Sequence, residues 1–402
     1  MLLSATVRAV RRYGSAVRLS FPPLLPVRRL ASATGPSAFD VSNLQIDRIP
    51  ESRLPSCPPK EELAFGKTFT DHMLSVNYSE GEWSAPRIGP YGDLRISPAS
   101  SGLHYGLQCF EGLKAYRDHF HPDTVRMFRP DCNMERMSNS MARLAMPAFP
   151  QDQFLRCIEE LVSLDSPWIP TGEGYSLYIR PTAVSTQPFL GVAASTEVLL
   201  YCICSPVGPY YKNGFSPVRL TADEETVRAW PGGTGNNKVG GNYGPTMVPQ
   251  ARANAAGYDQ VLWIFGPDGA VTEAGAMNVF FVVTDRETGR RELITPPLDR
   301  GDILPGVTRR SILDLCRSWG EIDVTERSPT MAELAVAADE GRLVEAFGTG
   351  TAAVVSPISC VRYGGKDIDI PATGEVTQWV WDRITSIQYG KEEGPPGWSY
   401  TI

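Results

Sequence analysis

Alternation of apolar and polar positions begins at residue 65, where FGKTFTDHMLSVNYSEGEW reads as strands around a turn. LHYGLQCFEGLKAY (103–116) predicts a helix that gives way to a strand. VRMFRP (125–130) predicts a short strand in which Arg126 alternates with Val125 and Met127. Helices are expected over 133–146 and 152–164, then strands over SLYIRPTAV (176–184) and EVLLYCICSPVG (197–208). The last of these is apolar enough to be buried, with Cys202 and Cys204 facing one side. Farther along, a helix over 245–256 precedes QVLWIF (260–265), the turn GPDG and AVTEAGAMNVFFVV (270–283), a hairpin-like meander. ILPGVTRRSILDLCRSWG predicts a helix with Thr308 as N-cap and Gly320 as its stop. Its apolar stripe is Ile312, Cys316 and Trp319. AFGTGTAAVVSP (346–357) reads as a strand broken by a Gly-x-Gly turn, and a last helix covers 375–388.

Between these elements the chain breaks in two places. Residues 40–62 are proline-dotted and irregular, and GPYYKNGFSP (208–217) is a glycine- and proline-rich joint. With 402 residues, two domains are the expectation: 32–207 and 218–402, linked by 208–217. Both mix strands and helices, an α+β or mixed α/β class. The first 39 residues carry six arginines and no acid, the pattern of a mitochondrial transit peptide over 1–31 with the matrix as destination. Without those arginines, the 38 basic residues fall to 32 against 45 acidic ones, a net charge of −13. So acidic a body argues against a nucleic-acid partner. No apolar run reaches the ~20 residues of a membrane span. The eight cysteines and four histidines show no metal-ligand spacing, so no metal is expected and the thiols are expected free.

One stretch fits neither period. RAWPGGTGNNKVGGNYG (228–244) sets Lys238 among six glycines, with Tyr243 five residues on. Glycines at this density disfavour helix and buried strand, and permit close backbone approach to something bulky. A phosphate-cradling nucleotide loop would need Gly before the lysine and Ser or Thr after it, whereas Asn237 and Val239 stand there. Two readings remain: a mobile surface loop or a Schiff-base lysine.

GLHYGLQCFEGLKAYR, LYIRPT, SPVGPYY, RAWPGGTGNNKVGGNYG, TEAGAMNVF, ILPGVTRRSIL and FGTGTAAVV, in that order, resemble the branched-chain amino acid aminotransferases. The resemblance covers nearly all of the chain after residue 60. It implies the two-domain fold-type IV architecture, with pyridoxal 5′-phosphate at the domain interface. It implies that L-leucine, L-isoleucine or L-valine passes its amino group to 2-oxoglutarate by a ping-pong mechanism through Lys238. By the same resemblance Glu273 pairs with the pyridine nitrogen and Tyr243 with the ring oxygen. Arg126, Val307, Thr308 and Thr351 hold the phosphate, and the Thr351–Ala352 backbone holds the substrate's α-carboxylate. Arg180 meets the side-chain carboxylate of glutamate, and Phe65, Tyr105, Phe110, Tyr178 and Ala276 wall the pocket. Leu190 and Val192 would reach in from a second subunit, which implies a homodimer. Ala353 and Ser356 stand where mammalian members carry a Cys-x-x-Cys pair, so no thiol switch is expected there. A D-amino acid aminotransferase, an aminodeoxychorismate lyase and a silent scaffold relative are the alternative readings.

Overall fold

Two sheets account for most of the strand pattern in the computed structural model, which describes residues 38–50, 52, 57–209, 216–372 and 374–402. The expected transit peptide and most of the expected 208–217 joint lie outside the described residues.

Among the described residues the first sheet has ten strands, and its centre is the long antiparallel pair Ser176–Ser185 and Val198–Val207. His72–Ser79 flanks one side of that pair; Leu113–Arg117 and Val125–Phe128 flank the other. The C-terminal strand Ser399–Thr401 returns to pair with Val125–Phe128. Helices Pro130–Arg143 and Gln151–Leu164 cover the sheet. Met134, Met137, Phe154, Ile158 and Leu161, spaced for one helical face, pack with Leu74, Val76, Ile179 and Leu200.

Among the described residues the second sheet has nine strands, centred on Met277–Thr284, Leu343–Gly350 and Val354–Tyr363. Because Ala270–Ala274 pairs with both Gln260–Phe265 and Met277–Thr284, six of these strands close on themselves. The strand Met277–Thr284 shows why that sheet is buried on both faces. Val279, Phe281 and Val283 enter one core, while Phe280 and Val282 enter another against helices Val307–Trp319 and Glu375–Gln388. Among the described residues no helix is long and apolar enough to cross a membrane.

Two local expectations change. The predicted helix near 103 is only Ser101–Tyr105, stopped by Gly106 in the left-handed region, and two strands follow it, Gln108–Phe110 and Leu113–Arg117. The long helix begins at Val307 with Gly306 as its N-cap, so Thr308 lies inside the first turn. Gly320 ends that helix as expected, with φ of 77°.

Candidate active site

The glycine-lysine loop is pinned at both ends of its lysine. The Lys238 N–H donates to Ser140 Oγ at 2.9 Å, and the Lys238 carbonyl accepts from the Phe110 N–H at 3.1 Å. Asn242 ties the rest together, donating to the carbonyls of Thr234 and Asn237 at 2.9 Å each. Gly235 is required by close approach: a Cβ there would stand 2.6 Å from the Asp302 carbonyl oxygen. The loop is thus tied down by backbone and side-chain hydrogen bonds on both sides of Lys238.

From this loop the Lys238 amine projects into a cavity of about 530 Å³. It stands 3.0 Å from the Tyr243 hydroxyl and 4.6 Å from the centre of the Phe110 ring. Phe65, Phe110, Tyr178, Ala276 and Ala352 line the same cavity. Phe65 and Tyr178 meet edge to face, 4.9 Å between ring centres. Gly112 makes room for this wall, since a Cβ there would lie 2.0 Å from the Tyr178 hydroxyl. Arg180 stacks over Phe110 at 4.7 Å and donates to the Tyr178 hydroxyl at 3.1 Å; its buried Nε has no hydrogen-bond partner among the described residues. A guanidinium with spare donors at an aromatic wall can receive a carboxylate or yield to an aliphatic side chain.

A smaller cavity of about 50 Å³ adjoins the first, and Lys238, Ala276, Gly350 and Thr351 line both. Here Glu273 is fully buried, and burial pushes its pKa up while Arg228 and the Leu304 N–H pull it back. Glu273 Oε1 accepts from Asn278 Nδ2 and the Leu304 N–H, both at 3.2 Å. Oε2 has the Arg228 guanidinium 2.5 Å away, a charge contact at an angle that makes no hydrogen bond, so both atoms stay without such a partner. That oxygen can accept from a protonated ring nitrogen.

The opposite wall of the small cavity is built for an anion. Val307 and Thr308 open a thirteen-residue helix whose first intrahelical donor is Arg310, so among the described residues no acceptor takes their N–H groups. Thr351 lies across from them, its hydroxyl donating to the Gly112 carbonyl at 3.0 Å. Two arginines line this cavity: Arg136, held by a buried two-point pairing with Glu111 at 2.7 Å per bond, and Arg309, already engaged with the Pro296 carbonyl and Glu326 at 2.8 Å each.

Two expected residues are not brought here. Arg126 lines neither cavity: it bonds to Asp118 and, at 2.8 Å, to Ser399 Oγ. The alternation of its own strand explains why, since buried Val125 and Met127 point to the core and Arg126 points away. Tyr105 is 42% exposed outside the cavity, its hydroxyl donating to the Leu190 carbonyl. Sequence reasoning missed Arg136, though the signal was present. It falls on the buried stripe of Pro130–Arg143 with Asn133, Met137 and Ser140, and an arginine on such a stripe needs a reason. Arg228 and Asn278 were likewise given no role; their buried polar contacts to Glu273 emerge only on folding.

Known proteins bear on this geometry. The amino-transferase class IV family matches residues 108–361. The branched-chain-amino-acid aminotransferase of Monosiga brevicollis is 49% identical over 373 residues, covering 92% of this chain and 94% of that one. The mitochondrial enzyme of the same name from Saccharomyces cerevisiae is 48% identical over 383 residues, covering 92% and 95%. A solved branched-chain aminotransferase from Thermoproteus uzoniensis, with norvaline, is similar at a TM-score of 0.65 and 26% identity, over 82% of this chain and 99% of that one.

Proposed function

The chain belongs to the class IV aminotransferases, and within them to the branched-chain-amino-acid aminotransferases, and from that membership we propose how its own residues carry the reaction. The enzyme transfers the amino group of a branched-chain L-amino acid to 2-oxoglutarate, with pyridoxal 5′-phosphate as cofactor. The Glu273 oxygen that takes no hydrogen bond and the anion cradle fit that cofactor, one at the ring nitrogen and the other at the phosphate. When bound, the cofactor supplies the electron sink that lets the substrate Cα lose its proton.

The residues then divide the work. Lys238 would take the proton from the substrate Cα and deliver it to the cofactor's C4′, and its amine is placed by the Tyr243 hydroxyl at 3.0 Å. Glu273 holds the ring nitrogen protonated. Arg136, Thr308, Thr351 and the Val307–Thr308 N–H groups hold the phosphate; Arg136 takes the part expected of Arg126. Phe65, Phe110 and Tyr178 shape the aliphatic pocket and exclude water from it. Arg180 turns the same pocket toward the second carboxylate of glutamate. The backbone around Thr351 and Ala352 receives the α-carboxylate. The observation that carries this reading is the convergence of Lys238, Glu273 and Arg136 on one small cavity.

Three broader readings accompany it. The working domains are 32–207 and 218–402, each built around one of the two sheets, with the C-terminal strand Ser399–Thr401 of the second returning to the sheet of the first. Leu103, Phe189, Leu190 and Val192 are exposed beside Tyr105, an apolar surface that suits a homodimer in which Leu190 and Val192 approach the partner's site. The arginine-rich leader directs the chain to mitochondria; its relatives include enzymes named mitochondrial and enzymes named cytosolic. The first test is the visible spectrum of the purified protein, recorded before and after L-leucine is added without an oxo acid. A cofactor band that shifts with L-leucine and not with D-alanine supports the reading. A response to D-alanine alone assigns the fold to the other stereochemistry, and Lys238→Ala with substantial turnover removes the lysine from its role.

A further inference from the structure

Behind the turn of residues 351–353 lies another cavity, of about 220 Å³, bounded by Lys114, Tyr116, Trp381, Gln388 and Tyr389. Ala352 and Ala353 line this rear cavity and the substrate cavity alike, so the turn is the wall between them. Lysine is seldom buried, yet Lys114 is only 8% exposed, and burial pushes its pKa down to about 8. Its amine donates to the Ala352 carbonyl at 2.8 Å, a contact spanning 238 positions of sequence. Immediately beside it, Thr351 Oγ1 donates to the Gly112 carbonyl at 3.0 Å. One short stretch of the first sheet therefore grips two consecutive residues of the turn.

Peptide planarity turns that grip into an orientation. In a trans peptide the carbonyl of one residue and the N–H of the next point to opposite sides, and no described peptide bond is cis. With the Ala352 carbonyl drawn to Lys114 in the rear cavity, the Ala353 N–H is aimed toward the substrate cavity. Among the described residues no acceptor takes the N–H of Ala352 or Ala353. We propose that Lys114 is a positioning residue for substrate recognition, anchoring the Ala352 carbonyl so that the turn offers its backbone N–H groups to the substrate's α-carboxylate. The proposal rests on the assignment of that carboxylate to this turn. Lys114 itself touches no reacting atom; it acts through the peptide it holds.

The test compares wild-type, Lys114→Met and Lys114→Arg holoenzymes. Each is titrated calorimetrically with 4-methylvaleric acid, which has the carbon skeleton of leucine and a carboxylate, and with its neutral amide. Wild type should prefer the acid. Lys114→Met should weaken acid binding about tenfold and leave amide binding unchanged, as loss of a charge-assisted anchor implies. KM for L-leucine and for 2-oxoglutarate should rise together, while kcat stays within about threefold. Lys114→Arg, which keeps charge and donor, should keep the preference for acid within about threefold of wild type. An unchanged preference in Lys114→Met would overturn the proposal, as would equal loss of acid and amide affinity, which a purely structural lysine would give. If Lys114→Met does not fold, loss of the preference in a folded Lys114→Arg has the same force. A wild type that binds acid and amide equally would instead remove the carboxylate from this turn.

Discussion

Replacing Glu111 by alanine should reveal what holds Arg136 in the small cavity. Glu111 is fully buried and Arg136 is 7% exposed. Both carboxylate oxygens accept from the guanidinium at 2.7 Å, and Asn133 adds a third bond at 2.8 Å. Without Glu111, the Arg136 guanidinium keeps one bond among the described residues, to the Pro305 carbonyl at 3.1 Å. Breaking a buried pair by removing one partner costs about 3–5 kcal/mol, because the remaining charge is left uncompensated. That is a large share of the roughly 5–15 kcal/mol by which a domain is stable.

The cofactor changes this cost in a way that can be measured. A bound phosphate dianion gives the stranded guanidinium a new partner, so Glu111→Ala should lose less stability with pyridoxal phosphate than without it. Urea unfolding of the apo and cofactor-saturated forms reads both losses, as shifts in midpoint at constant slope. An apo loss under about 1 kcal/mol would show that the pair does not carry the charge burial assigned to it. Equal losses in the two forms would show that Arg136 does not meet the phosphate.

Other outcomes follow from the same contacts. Arg136→Ala should lower cofactor affinity more than about tenfold, whereas Arg126→Ala should leave it within about threefold; titration followed by visible absorbance separates them, and the reverse order would restore Arg126 to the site. Gly306→Ala would place a Cβ 2.0 Å from Asn278 Oδ1 and push that side chain off Glu273. A melting experiment should show about 1–3 kcal/mol of lost stability, with weaker cofactor retention. Lys114 titrates at about 8 when folded and at 10.5 in its ordinary state. Between those values the unfolded chain binds the extra proton, so stability rises with pH across that window. Relative to Lys114→Met, the wild type should gain on the order of 3 kcal/mol from pH 8 to 10.5; a flat difference would mean that the amine is not buried.

Period and punctuation made much of the fold legible before any coordinates. The helices at 151 and 375, the buried pair of strands around 180 and 200, and the stop at Gly320 follow from spacing that neighbouring residues impose on one another. The start of the helix at Val307 was less legible: Thr308 is a preferred capping type, but the Gly306 position is fixed by Asn278 packed against it. Arg126 and Arg136 show the limit more sharply. Both arginines are followed by a methionine, Met127 and Met137, ten positions apart, and composition does not separate them. Strand alternation turns the former outward, and the helical stripe turns the latter in.

The sequence by itself determined which local segments form strands and helices, that Lys238 sits in a glycine-rich loop unsuited to either, and, through seven ordered motifs, the family. Those properties depend on residues close together along the chain. Only the tertiary structure decided which residues meet: Ser140 at the Lys238 backbone across 98 positions, Gly112 at Thr351 across 239, and Arg136 rather than Arg126 in the small cavity beside Lys238 and Glu273. Such meetings depend on how two sheets and their covering helices pack. No periodicity records them, because the partners are set by burial and by the pairing of buried polar groups, which the chain satisfies only once it is folded.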